Sequence, residues 1–403
     1  MKLRKIFLYV ILVMALLSAI RVLTLSSDER IYLKRFFLWN VSDIDDHKKF
    51  PSIEIKNEPP VFHFKKSGVP MDVGAIEYTV KGEKKSADIA ELNRRHNSTA
   101  FIVIKDDVIL YEEYFNGYSR DSINTSFSTA KSFSSALVGI ALAEGKLGNL
   151  ADPVVKYLPE LKERGLDGLT LRHLLVMGSG IRYEAGRLLG MQVDLPGSDM
   201  PRVYYHPDLR SLALAVSPGD QAVGEHFYYN DYHPVLMGII LERTVGSNAA
   251  RYLEEKIWKK IGMEYPASWS VDSERNGTVK MESGINARAI DFARFGRLYL
   301  NGGKWNGRQV VPKKWVIEST APDPSDRREW LNHQKYREYG AFYKYWWWGV
   351  HRAHGRYDSM AIGHLGQYIF IRPDKKIIIV RNGIDRGGVD WWPEIFQRVA
   401  DRL

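Results

Sequence analysis

The sequence predicts an α/β fold of the α+β type. One antiparallel sheet is built from both chain ends and flanked by helices, with a mostly helical region inserted between them. Three observations predict it. Strand-like runs occupy residues 100–104 and 108–115, and strands return only after residue 343. The middle of the chain reads as helices and loops. No internal repeat or low-complexity stretch interrupts the pattern.

The chain has 403 residues, 45% hydrophobic and 26% charged, which is ordinary for a globular protein and enough for a large core in one or two domains. Its net charge is +9. The basic residues are scattered among acids without a long run, so nucleic acid binding is not implied. There is no cysteine, which excludes disulfides, thiolate metal sites and cysteine nucleophiles.

At the N-terminus, Lys2, Arg4 and Lys5 precede an apolar run over residues 6–20, broken only by Ser18. A basic start before such a run reads as a signal anchor or signal peptide over residues 1–25. By the positive-inside rule the bulk of the chain lies outside the cytoplasm, anchored to the cell membrane, or secreted if the signal is cleaved. Residues 26–97 carry Pro51, Pro59, Pro60 and many charges, and read as a juxtamembrane connector with a short helix around residues 31–39. The main domain spans residues 98–403, with the helical region inserted at about 147–285.

Its elements follow in order. The runs 100–104 and 108–115 form a hairpin across Asp106-Asp107. An apolar helix covers residues 133–142 and stops at Gly145. Thr170 caps the start of a helix through Leu171-Arg172-His173-Leu174-Leu175, residues 232–244 form another stopped by Gly246, and 286–300 is amphipathic, closed by Gly302-Gly303. Residues 343–350 read as one strand. Residues 368–372 and 376–381 form a second hairpin, and a last helix runs from about 393 to 403.

Ser128-Thr129-Ala130-Lys131 opens the first of these helices. Residues three apart share a helix face, so the Lys131 amine can reach the Ser128 hydroxyl. A serine hydroxyl needs a neighbouring base to become a nucleophile. A lysine can be that base where burial and nearby positive charge lower its pKa. Tyr228-Tyr229-Asn230 precedes the helix at 232, where Tyr228 can share a proton with Lys131 and Ser128, and Asn230 can hold the lysine or a substrate amide. Gly363-His364-Leu365-Gly366-Gln367 leads into a late strand. Glycine at a strand edge lets a ligand approach the backbone. The Gln367 N–H, paired with that of Ser128, can form an oxyanion hole, and His364 can orient a substrate. Tyr183, after Gly178-Ser179-Gly180, can reach a substrate amide. Of Trp346-Trp347-Trp348, at least one ring should line the cleft while another packs in the core, and Trp347 is assigned to the cleft.

These three elements and their order resemble the serine β-lactamase and penicillin-binding protein superfamily, whose signature includes S-x-x-K and a late K-T-G. The Tyr228-x-Asn230 form resembles the class C β-lactamase branch. The sequence His364-x-Gly366 before Gln367-Tyr368 is most similar to the 6-aminohexanoate-dimer (nylon oligomer) hydrolases. Ala151-Asp152-Pro153, Thr170-Leu171-Arg172-His173-Leu174-Leu175 and Gly284-Ile285-Asn286-Ala287-Arg288 extend the resemblance over residues 98–403.

The resemblance implies a hydrolase acting by acyl transfer. Ser128 attacks a carbonyl, Lys131 and Tyr228 move protons, and the Ser128 and Gln367 amides hold the oxyanion. Water then releases the acyl group, with no metal or organic cofactor. His364 stands where K-T-G has lysine. A histidine is mostly neutral near pH 7, so a small ester or linear amide is expected as the small-molecule substrate in preference to a β-lactam. Two alternatives stay open: a non-catalytic binder of cell-wall peptides or β-lactams, and a DD-peptidase. Competing signatures are absent. There is no G-x-S-x-G elbow and no H-E-x-x-H, and the glycines before Lys146 are wrongly spaced for a phosphate loop.

Overall fold

The computed structural model describes residues 24–39, 41–188, 191–192 and 194–403. The apolar run at 6–20 lies outside them, and so does the expected signal or anchor. Among the described residues no helix is long and apolar enough to cross a membrane.

An eight-stranded sheet organises the fold. Its strands are β1 (Lys65–Lys66), β2 (Ser98–Lys105), β3 (Val108–Tyr114), β4 (Ala341–Lys344), β5 (Trp347–His351), β6 (Tyr357–Gly363), β7 (Gln367–Arg372) and β8 (Ile377–Gly383). Their order is β4-β5-β6-β7-β8-β2-β3-β1. Every pairing is antiparallel except β1 with β3. Both chain ends therefore build one sheet, as the sequence predicts. Asp106 and Asp107, at φ 49° and 64°, form the two-residue turn between β2 and β3. Aspartate tolerates that left-handed pair better than most residues.

The strands β7 and β8 are buried along their whole length, so both faces of the sheet are covered. Five helices matter here: α1 (Ser27–Trp39), α2 (Ala130–Ala143), α3 (Tyr232–Val245), α4 (Ala289–Leu300) and α5 (Trp392–Asp401). Alternation along β7 divides its side chains between the two faces. Tyr368 and Phe370 meet Phe396 of α5, with ring centroids 5.2 and 5.7 Å apart. Ile369 faces α4, where Gly296 lets the helix press close. A Cβ at Gly296 would lie 2.9 Å from Ile378 Cγ2 and 3.0 Å from Ile369 Cγ2. Phe133 of α2 stacks on Phe295 of α4 at 3.6 Å, so α2 sits next to α4 with nearly every residue buried. From Ala136 onward its residues are all apolar or glycine, which suits that position.

Three stretches differ from expectation. Residues 26–97, read as a connector, lie against the domain. The strand Ser52–Ile55 pairs with Ala267–Ser270, β1 extends the main sheet, and Ile76–Val80 pairs with Glu83–Ala87. Asn286, expected in a helix, belongs to the strand Ile285–Ala287, where it exchanges hydrogen bonds with Thr125, Ser268 and Ser270. Residues 343–350 are not one strand but parts of β4 and β5. Tyr345 and Trp346 make the turn between them, at φ 44° and 65°. Neither residue favours that conformation, and packing holds it. Tyr345 stacks on Trp315 at 5.1 Å and donates to Glu318 at 2.9 Å. Trp346 donates to the Leu174 carbonyl at 3.1 Å, and its own carbonyl accepts from Ser132 at 2.9 Å.

Candidate active site

Ser128 sits in the 3₁₀ turn Phe127–Thr129, which runs directly into α2. Phe127 before it takes a left-handed φ of 47° although it is not glycine. Its buried ring packs edge-on against His364 at 5.5 Å, which helps hold that conformation beside the hydroxyl. The end of β6 touches the same turn, since a Cβ at Gly363 would lie 2.3 Å from the Ser126 carbonyl oxygen. Ser128 is partly exposed at the wall of a cleft of about 670 Å³.

Lys131, one turn on from Ser128 and in the first turn of α2, is 1% exposed. Its ammonium makes two hydrogen bonds and one ion pair. The partners are Ser128 Oγ at 2.8 Å, the Glu282 carbonyl at 2.8 Å and, for the ion pair, Asp231 Oδ1 at 2.7 Å. Burial alone would lower the Lys131 pKa, but the Asp231 carboxylate and the Tyr229 oxygen outweigh it, and the pKa is raised. This corrects the expectation of a lowered value: the neighbouring charge is negative, not positive.

The phenol whose electrostatics are coupled to Ser128 and Lys131 is that of Tyr229, not Tyr228. Local backbone direction explains the shift of one residue. The Tyr228 amide donates to the Met177 carbonyl at 2.8 Å, and its ring faces Tyr183, 6.2 Å away. Tyr229 points the other way. Its amide donates to Asn332 Oδ1 at 2.8 Å, its carbonyl accepts from Asn332 Nδ2 at 3.0 Å, and its ring stacks on Trp348 at 5.9 Å. Burial raises the Tyr229 pKa, and Lys131 opposes that rise. The Lys131 nitrogen also lies 4.9 Å from the centre of the Tyr229 ring.

The same one-residue offset moves the next position. Asn230 is buried and structural. Its Oδ1 accepts from the Tyr232 amide at 2.9 Å and its Nδ2 donates to the Ile181 carbonyl at 3.4 Å. Asp231 is the residue at the lysine, and its second oxygen accepts from the Tyr183 hydroxyl at 3.1 Å. Tyr183 therefore joins the cluster and lines the cleft.

His364 lines the cleft near Ser128 and is exposed at its mouth. The surrounding walls and the Arg386 guanidinium lower its pKa, so the imidazole is neutral at pH 7. Gln367 and Gly366 do not line the cleft. Gln367 pairs with Gly363 across the sheet, and its side chain donates to the Gly383 carbonyl at 2.7 Å. Gly366 packs on Arg381. The backbone that reaches the cleft is Gly363-His364, at the end of β6. Trp347 is likewise a core residue, 4.3 Å from Tyr299 and 6.0 Å from Phe295. Trp348, on the opposite face of β5, lines the cleft.

Sequence reasoning missed Tyr229, Asp231, Trp348 and Arg386. A usable signal existed for Asp231, because a buried lysine requires a nearby acid and Asp231 is the acid next to the tyrosine pair. Arg386 follows β8 and lines the cleft beside His364. Among the described residues no carboxylate lies within salt-bridge distance of it; its guanidinium lies 5.8 Å from the centre of the Tyr336 ring.

Comparison with known proteins agrees with this architecture. The sequence profile of the Beta-lactamase family matches residues 83–382. The 6-aminohexanoate-dimer hydrolase of Paenarthrobacter ureafaciens is 27% identical over 323 residues, covering 76% of this chain and 78% of that protein. A Bacillus anthracis protein named for the same hydrolase superposes with a TM-score of 0.69 at 23% identity, over 88% of this chain and 89% of that one. A class C β-lactamase superposes with a TM-score of 0.56 at 16% identity, over 78% of this chain and 93% of that one. With its serine and lysine at the start of a buried helix beside the end of a sheet strand, and with most of its length matched by the profile, this chain belongs to the Beta-lactamase family.

Proposed function

We propose that this protein is a serine hydrolase that forms an acyl-enzyme on Ser128 and hydrolyses a small ester or linear amide. One observation carries the reading: Lys131 Nζ lies 2.8 Å from Ser128 Oγ, with the Tyr229 ring centre 4.9 Å from the same nitrogen. The family supports hydrolysis at this level. The resting cluster holds protonated Lys131 against Asp231, so attack requires that ammonium to lose a proton first. The free amine then accepts the Ser128 proton as the serine oxygen attacks. Tyr229, beside that amine, is the group we assign to return a proton to the leaving group. The Ser128 amide and the β6 end at Gly363-His364 are the donors we assign to the developing oxyanion.

The cleft also narrows the substrate. Arg386 presents a guanidinium without a carboxylate partner among the described residues, next to a neutral His364. An amide or ester bearing a free carboxylate fits this pairing. The 6-aminohexanoate dimer, which names the curated relative, is a linear amide of that kind.

The test is covalent labelling followed by turnover. A fluorophosphonate should add one adduct, on Ser128, and none in Ser128→Ala. A panel of nitrophenyl esters, nitrocefin, D-alanyl peptides and 6-aminohexanoate dimer should show esters turned over fastest. No adduct and no turnover would reject the hydrolase. Nitrocefin cleaved far better than any ester would reject the substrate class.

A further inference from the structure

We propose that the outward face of α1 rests on an anionic lipid bilayer and holds one wall of the active-site cleft at the membrane surface. Among the described residues, large apolar side chains are exposed at eight positions, and four of these fall within residues 31–41. They are Ile31 (40% exposed), Phe37 (66%), Leu38 (69%) and Val41 (65%). At 100° per residue, Ile31, Phe37 and Leu38 share one arc of α1 with Arg30 and Lys34, which are also exposed. Apolar side chains interleaved with cations on one arc are the pattern of a helix lying in a membrane interface. The face is not left over from loose docking, because the opposite arc is firmly held. Tyr32 donates to the Pro196 carbonyl at 2.7 Å, Arg35 donates to the Asp272 carbonyl at 2.7 Å, and Trp39 packs on Phe50 at 4.9 Å.

The position of α1 in the chain supports the bilayer as occupant. The apolar run 6–20, with its basic start, ends six residues before α1 begins. Such a connection spans at most about 25 Å, so a run seated in a membrane keeps α1 close to its surface. A second copy of the chain fits less well. The stripe is one helix wide, roughly 20 Å by 10 Å, against the ~800 Å² per partner of a stable dimer. Two such faces would also bring like charges together.

The consequence reaches the site. The inner face of α1 packs on the helix Asp199–Tyr205, whose Pro201, Val203 and Tyr204 line the cleft. If Ser128 acts as proposed above, its preferred substrates are esters or amides presented at a bilayer, such as those carrying an acyl chain.

The absence of cysteine makes the test direct. Single cysteines replace Phe37, Leu38, Val69 or Ile317 in the full chain, are labelled with a nitroxide, and are reconstituted into phosphatidylcholine/phosphatidylglycerol vesicles. Labels at 37 and 38 should collide more with oxygen than with a water-soluble nickel chelate, and those at 69 and 317 should show the reverse. Equal aqueous exposure at all four positions would overturn the proposal. So would strong dipolar coupling between labels at 38 on two molecules, which would identify a protein interface instead. These readouts do not depend on hydrolysis, so they stand or fall apart from the assigned activity. In a second arm, the Phe37→Asp, Leu38→Asp double variant should hydrolyse a soluble nitrophenyl ester normally and a vesicle-borne nitrophenyl palmitate several-fold more slowly. An equal loss on both substrates would count against the membrane role.

Discussion

Asp231 Oδ1 lies 2.7 Å from Lys131 Nζ, and the carboxylate is the main reason the amine keeps its proton. The pair sits where a deprotonated base is needed for Ser128. A buried lysine without an acid would shed its charge, whereas one beside an acid holds it. The carboxylate therefore both stabilises the resting site and limits how readily the amine can act.

That relationship fixes the sign of a pH effect. In Asp231→Asn the carboxylate is gone, Tyr229 remains, and burial pulls the Lys131 pKa down. The free amine then becomes available at lower pH, so the acid limb of kcat/KM should move down by about one pH unit or more. His364 is already neutral at pH 7 and should add no inflection near its ordinary value of about 6.5. A pH–rate profile on a neutral nitrophenyl ester checks both. A limb that stays in place or moves up would separate Lys131 from the titration.

Two neighbouring tyrosines separate the competing assignments of the proton carrier. Tyr229→Phe removes the hydroxyl assigned to proton transfer beside Lys131, and general acid–base groups contribute roughly 10²- to 10⁴-fold. Its kcat should fall at least about a hundredfold on that scale. Tyr228→Phe should stay within about tenfold, because its ring faces Tyr183 at the cleft edge. Steady-state kinetics on one ester decides between them, and the reverse order would restore the Tyr-x-Asn reading.

How far the fold was legible depends on how local its determinants are. The hairpin at Asp106-Asp107 and the stop of α2 before Gly145, at φ 68°, are written in a few adjacent residues, and the structure has both. The helix spacing of Ser128 and Lys131 is local too. Choosing between Tyr228 and Tyr229 is not, because the frame is set by Met177 and Asn332, which are distant in sequence. The same applies to Trp347 and Trp348. A two-residue turn at Tyr345-Trp346 carries no Gly or Asn, so no turn signal revealed which tryptophan faces the cleft. Arg386 was invisible because a guanidinium with no carboxylate beside it among the described residues is a property of its surroundings, not of its sequence.

Arg386 yields a charge-selective prediction. Hydrogen bonds to charged groups are worth about 1.5–3 kcal/mol, or roughly 10- to 100-fold in binding. In Arg386→Ala the KM for a carboxylate-bearing amide or ester should rise by about that factor. The KM for a neutral ester of similar size should change little. Kinetics on the matched pair is the measurement, and an equal change on both would show that Arg386 shapes the cleft without reading charge.

Gly139 lies in the buried middle of α2, where two effects of an alanine oppose each other. Replacing glycine by alanine inside a helix gains about 1 kcal/mol from backbone propensity. Here the new Cβ would sit 2.3 Å from Trp315 Cγ and 2.4 Å from its Cδ1. Trp315 cannot swing away freely, because it stacks on Tyr345 in the left-handed turn. Overpacking a core costs about 1–3 kcal/mol, which outweighs the propensity gain over most of that range. Gly139→Ala should therefore lower the Tm by a few degrees while leaving the Ser128 and Lys131 end of the helix active. In a Trp315→Ala background the clash disappears, and the same Gly139→Ala change should become neutral or stabilising. Thermal unfolding of the four proteins in this cycle reads the coupling directly. A Gly139→Ala protein that is more stable than the parent would mean that Trp315 yields more easily than its contacts indicate.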